Sequence, residues 1–198
     1  ATATMTADSN AINVAGDFVN AGTFNAGTST LTMNGTGTLT SNGNTINNFA
    51  TSGAGTITLA NATHTFGGDV TLGSTGLSAG SSTVVMTGTK NLVGGGKTLN
   101  NLTIDGTNTT VSLITSNLTV SGTLTIGGDA AANTDTLSIA NAITISATGT
   151  TTMTDSTDTI SGAGTLRFVS TSSGPGTTGT LSSRVLFAAT VGNNIPTT

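Results

Sequence analysis

The chain repeats itself at an offset of 53 residues, and this repeat constrains the fold more than any single residue does. Ala26-Gly27-Thr28-Ser29-Thr30-Leu31-Thr32-Met33 returns as Ala79-Gly80-Ser81-Ser82-Thr83-Val84-Val85-Met86. Thr45-Ile46-Asn47-Asn48 returns as Thr98-Leu99-Asn100-Asn101, and with one residue of slip Thr65 to Gly73 returns as Thr119 to Gly127. A weaker third copy ends in Ser161-Gly162-Ala163-Gly164-Thr165-Leu166, an echo of Ser52-Gly53-Ala54-Gly55-Thr56-Ile57. A fixed period of this length means stacked structural units rather than a single closed domain.

The unit divides further. Leu31-Thr32-Met33, Ile57-Thr58-Leu59, Val84-Val85-Met86, Val111-Ser112-Leu113, Leu137-Ser138-Ile139 and Leu166-Arg167-Phe168 begin 26, 27, 27, 26 and 29 residues apart. A second set interleaves: Val70-Thr71-Leu72, Leu102-Thr103-Ile104, Leu124-Thr125-Ile126 and Thr151-Thr152-Met153. Each triplet alternates inside and outside and predicts a short half-buried strand. The expected fold is an all-β parallel β-solenoid with coils of about 26 residues in double-coil repeats of 53. One coil cannot bury its own apolar face, so coils must stack.

Thr is the commonest residue and 28 Gly follow it, while Glu, Gln, Trp, Tyr and Cys are absent. Thr, Val and Ile suit a pleated surface, and Gly, Asn, Asp and Ser suit its corners. No segment carries apolar residues at a helical period, so almost no helix is expected. The same polar composition is compatible with disorder. A disordered chain, however, has no reason to hold Leu, Ile, Val and Met in register. Asn47-Asn48 and Asn100-Asn101, one period apart, are candidates for an amide ladder between coils. Solvated turn residues are the alternative.

At 198 residues, coils of this size number six or seven. Residues 1–170 are assigned to the solenoid and 171–198 to an irregular terminal segment, where Gly174-Pro175-Gly176 breaks the pattern. The apolar run Val185-Leu186-Phe187 follows. It is expected either to form a last coil or to act as an assembly segment that covers an open end, of this chain or of a neighbouring copy. Neither end of the sequence has a polar or helical cap, which fits a piece of a longer repeat protein or copies stacked end to end.

Eight Asp against four Lys and Arg leave a net charge of −4. With no basic patch and few aromatic residues to stack on bases, nucleic-acid binding is not expected. No apolar run is long enough to cross a membrane as a helix. Carbohydrate-active β-helix enzymes need clustered carboxylates with Lys, Arg or His. Here Asp8, Asp17, Asp69, Asp105, Asp129, Asp135, Asp155 and Asp158 are scattered, and only Asp155 and Asp158 lie close in sequence. His64 is the one histidine, and it matches Leu118 in the next unit, which places it on an ordinary ladder position. Gly67-Gly68 and Gly94-Gly95-Gly96 lack the Lys-Ser context of a phosphate loop. No catalytic residue, cofactor or metal site is therefore assigned. Ice binding needs a two-file threonine array. The middle residues of the first triplet set are mixed, and only Thr71, Thr103, Thr125 and Thr152 of the second form a regular row, so a single file is expected.

Ala21-Gly22-Thr23-Phe24-Asn25-Ala26-Gly27-Thr28-Ser29-Thr30-Leu31 and Leu99-Asn100-Asn101-Leu102-Thr103-Ile104 resemble the repeats of large secreted prokaryotic surface proteins. These are the haemagglutinin-like and autotransporter-passenger-like β-helical adhesins. The resemblance implies a right-handed parallel β-helix displayed outside the cell, and it carries no catalytic residues. The resulting expectation is a non-enzymatic extracellular protein, the shaft of a self-assembling fibre or surface appendage. Its partners would be copies of itself joined head to tail, or a cell or host surface. The stalk of a very long adhesin is the alternative.

Overall fold

The computed structural model describes residues 3–73, 76–128, 133–169 and 179–188. Among these residues there are 26 short strands, all paired in parallel, and no helix. Most strands pair with the strand three before and the strand three after, β23–β25 and β24–β26 being two apart, so the chain winds as a three-sided solenoid of about eight turns. Strands are numbered in chain order. The first face carries β2 (Ala11–Val14), β5 (Thr30–Met33), β8 (Asn48–Thr51), β11 (Val70–Leu72), β14 (Lys90–Val93), β17 (Thr110–Leu113), β20 (Thr136–Ile139), β23 (Thr159–Ser161) and β25 (Thr180–Leu181). The second carries β3 (Phe18–Val19), β6 (Gly37–Thr40), β9 (Thr56–Leu59) and β12 (Gly76–Ser78). It continues, with β12 lying against β15, through β15 (Lys97–Leu99), β18 (Leu118–Val120), β21 (Thr144–Ala147), β24 (Thr165–Val169) and β26 (Arg184–Ala188). The third carries β1 (Thr4–Thr6) and β4 (Thr23–Asn25). Next to β4 begins the run β7 (Thr45–Ile46), β10 (Thr63–Phe66), β13 (Thr83–Met86), β16 (Asn101–Ile104), β19 (Leu124–Ile126) and β22 (Thr151–Met153).

All ten apolar triplets are strands or parts of strands, and their alternation is real: Leu31, Ile57, Val84, Val111, Leu137 and Leu166 are all buried. The coil length differs from expectation. Partners one coil apart are Thr30 and Asn48, Val70 and Leu92, and Val111 and Leu137, so a coil takes about 21 residues and not 26. The physical reason is that the steps of 26 or 27 residues from Leu31 to Val111 are four strands each, one full coil plus one face, whereas the 26 residues from Val111 to Leu137 are three strands, one long coil. Leu31 therefore lies on the first face, Ile57 on the second, Val84 on the third and Val111 on the first again. The 53-residue repeat is eight strands: β5 corresponds to β13, β8 to β16 and β11 to β19. Eight is not a multiple of three, so each copy of the repeat is rotated to a different face.

The inward side chains of the three sheets meet in one continuous core of Leu, Ile, Val, Met and Phe. Phe49 and Phe66 stack with ring centroids 5.0 Å apart, and Phe18 meets Phe24 edge-on at 5.7 Å. Of the terminal segment, 179–188 continues the winding. Thr180 and Leu181 pair with Thr159 and Ile160, and Arg184 to Ala188 pair with Thr165 to Val169. Gly174-Pro175-Gly176 lies outside the described residues.

Candidate functional site

The corners absorb most of the groups that could have carried chemistry. Asn48 Oδ1 accepts the Asp69 N–H at 2.9 Å, and Asp69 Oδ1 accepts the Asn91 N–H at 2.9 Å. One period on, Asn101 Oδ1 accepts the Thr123 N–H at 2.8 Å. The amide NH2 groups reach the coil below: Asn48 to Thr30 Oγ1 at 3.4 Å and Asn101 to Thr83 Oγ1 at 3.2 Å. The two Asn pairs do not stack on like residues. Each instead bridges the coil below to the coil above, bonding to main chain and threonine. Gly68 and Gly122 complete this lock, since a Cβ at either would land on Oδ1 of Asn48 or Asn101 respectively.

The Asp residues do similar work. Thr109 N–H donates to Asp135 Oδ1 at 2.6 Å, and Asp135 N–H donates to Asp158 Oδ1 at 3.2 Å, a staircase over three coils. The other oxygen of Asp158 accepts from Thr154 and Asp155 N–H at 2.9 and 3.0 Å. Asp155 Oδ1 accepts the Thr157 N–H at 2.8 Å and the Thr157 hydroxyl, and these bonds hold its carboxyl below the usual range. Both carboxylates of the one close pair are thus taken up by their own turn. Among the described residues no three His, Cys, Asp or Glu side chains gather to hold a metal ion; Asp129 lies outside them.

His64 is fully buried on β10 and points inward, as Leu118 does on β18. Its Nε2 lies 3.0 Å from the Ala60 carbonyl, which can only accept, so Nε2 carries the proton. Nδ1 then accepts the hydroxyl of buried Ser41 at 2.9 Å. Burial lowers the imidazole pKa, and the Ala60 bond opposes that only in part. A Ser–His contact exists, but both partners are sealed from solvent, and a nucleophile with no access to substrate has nothing to attack.

Of the proposed assembly residues, Val185 packs against the core while Leu186 is 42% exposed on β26, the last described strand of the second face. The side chain of Phe187 lies outside what the structure describes.

The largest feature missed by sequence is the third face. Its outward positions form two files in register. One runs Thr45, Thr65, Val85, Thr103, Thr125, Thr152. The other runs Thr63, Thr83, Asn101 and, just before β19 and β22, Thr123 and Thr150. The single threonine row expected from sequence is not a file on one face, because Thr71 belongs to the first face and the other three to the third. No side chain within the described strands of the third face is charged, though Asp105 directly follows β16; Lys90 lies within the strands of the first face, and Lys97, Arg167 and Arg184 within those of the second.

Fold and surface together define a parallel β-solenoid with structured corners and one threonine-rich face whose strands hold no charged side chain. Compared with protein-family models, with curated proteins and with solved structures, the chain matches none.

Proposed function

We propose that this chain is a non-enzymatic structural protein, the shaft of a self-assembling extracellular fibre or surface appendage. Its copies join head to tail and wind right-handed, the hand taken by ~98% of parallel crossovers. The observation that carries this is the parallel ladder itself: every strand among the described residues pairs in parallel with a neighbouring coil, a winding that a coil of another copy can extend by the same main-chain bonds. Leu186, exposed on β26, adds apolar surface that such a junction would bury. A head-to-tail contact does not close on itself, so it propagates as a filament. The threonine- and asparagine-rich, charge-poor composition and the resemblance to secreted β-helical adhesins support an extracellular setting.

The test is negative-stain imaging of the purified chain beside a variant lacking residues 184–198. Filaments from the full chain, shortened or lost in the truncation while circular dichroism stays β-rich, support the proposal. A soluble monomer favours instead the stalk of a longer cell-surface adhesin. Equal assembly by both proteins removes β26 from the junction.

A further inference from the structure

We infer that the third face is a binding surface for ice. This does not depend on the shaft proposal. From β10 to β22, every outward position of the two files is threonine except Val85 and Asn101, and Thr45 on β7 extends the first file by one coil. Within a strand the two files stand about 6.7 Å apart, and successive coils stand about 4.8 Å apart. Water oxygens in ice repeat at spacings close to both. The grid is also pre-set: β-branched side chains hold few χ1 rotamers, and neighbours above and below leave most of these threonines half-buried. Little side-chain freedom then remains to be lost on binding.

The hydroxyls are available. Thr45, Thr63, Thr65, Thr103, Thr123, Thr125, Thr150 and Thr152 make no side-chain hydrogen bond to the described residues. Thr83 accepts from Asn101, which in turn holds the Thr123 N–H, so the one amide in the array is locked and lies in file. Val85 keeps the shape of threonine with methyl in place of hydroxyl. The absence of charge on the strands of this face matters equally. An ammonium or carboxylate holds its own strong hydration shell, which does not fit a lattice. The strands of the first and second faces carry such groups; those of the third do not, and Asp105, which follows β16, already accepts the Gly128 N–H.

Ice-affinity partitioning of the full chain tests this, with Thr125→Lys and Thr103→Tyr on the third face and Thr58→Lys on the second as control. Circular dichroism confirms that each variant is folded, and the tyrosine variant, a good strand former, serves if the lysine variant is not. The expected result is that wild type and Thr58→Lys enter slowly grown ice while both third-face variants are excluded. Exclusion of the wild type, or equal entry of third-face variants, overturns the inference. So does sedimentation in which the wild type pairs side by side, loses that pairing on Thr125→Lys, and stays out of ice, since the face is then an interface between copies.

Discussion

Replacing Val84 with Asp tests the inward file of the third face, and the structure lets its cost be worked out. Val84 is 2% exposed and stands in register between His64 on β10 and Leu102 on β16. Losing the buried valine costs ~1.5–3 kcal/mol. The new carboxyl finds no donor. His64 already gives its one N–H to Ala60 and accepts Ser41 at the other nitrogen, and Leu102 is apolar. An unsatisfied buried polar group costs about 1–3 kcal/mol more, and more still if it stays ionised. The sum, roughly 3–6 kcal/mol, is comparable with the whole stability of many domains, ~5–15 kcal/mol. At about 2–4 °C per kcal/mol for a chain of this size, Tm is expected to fall by roughly 6–24 °C. Thr71→Asp is the matched control: Thr71 is outward and exposed on β11, so a change within about 0.5 kcal/mol is expected. Thermal melts followed by far-UV circular dichroism read both. Equal melts for the two variants would refute the assignment of faces. Val111→Asp should fall between them, because Lys90 is in register with Val111 and offers a partner cation.

Four further outcomes follow from the corners and the buried histidine. Because the folded pKa of His64 lies below its ordinary value, the stability it contributes is present above about pH 6.5 and is lost as pH falls toward the folded pKa. Tm of the wild type should therefore drop between neutral and mildly acidic pH by more than that of His64→Leu, and parallel curves would show that another group is responsible. Gly68→Ala drives a Cβ into Asn48 Oδ1 and should cost about 1–3 kcal/mol in urea melts, whereas Gly16→Ala, which meets nothing, should be near neutral. Thr115 has φ +70°, a strained conformation for a β-branched residue, so Thr115→Gly should raise Tm; a fall would mean that its side chain contributes more than its strain costs. Calcium or a chelator should leave Tm unchanged, since Asp155 and Asp158 already bond their own turn; a calcium-dependent rise would reopen a metal site there.

Strands were legible in the sequence because alternation is a local signal. Leu102-Thr103-Ile104 shows inside and outside to any reader who counts by twos. Coil length was not legible, because it depends on how many strands close one turn, and nothing local states that number. Corner lengths vary as well. β7 and β8 are separated by Asn47 alone, and β15 and β16 by Asn100 alone, while seven or more residues join most strand starts elsewhere. Those tight corners sit one repeat apart on different faces, so the strongest sequence match is between segments that do not stack. The Ser41–His64 contact and the Thr109–Asp135–Asp158 staircase were hidden for the same reason: they join residues 23 or 26 positions apart, an offset that is meaningful only once the coil is known.

The same mismatch bears on how the threonine face arose. Counting the repeat as eight strands, the strands of the third face, β1, β4, β7, β10, β13, β16, β19 and β22, fall on eight different positions of the unit, each sampled once. The first and second faces sample the same positions in other orders. Duplication of a single unit therefore does not by itself keep charge out of the strands of one face while the other two carry Lys90, Lys97, Arg167 and Arg184 within theirs. Threonine in the Thr45–Thr152 file comes from unrelated places in the repeat, and one period on from Thr65 the equivalent Thr119 lies on the second face. The uniformity belongs to the face and not to the repeat. A requirement acting on that surface as a whole, such as contact with an extended, regular and uncharged partner, accounts for it, and a requirement acting only on folding of the unit does not.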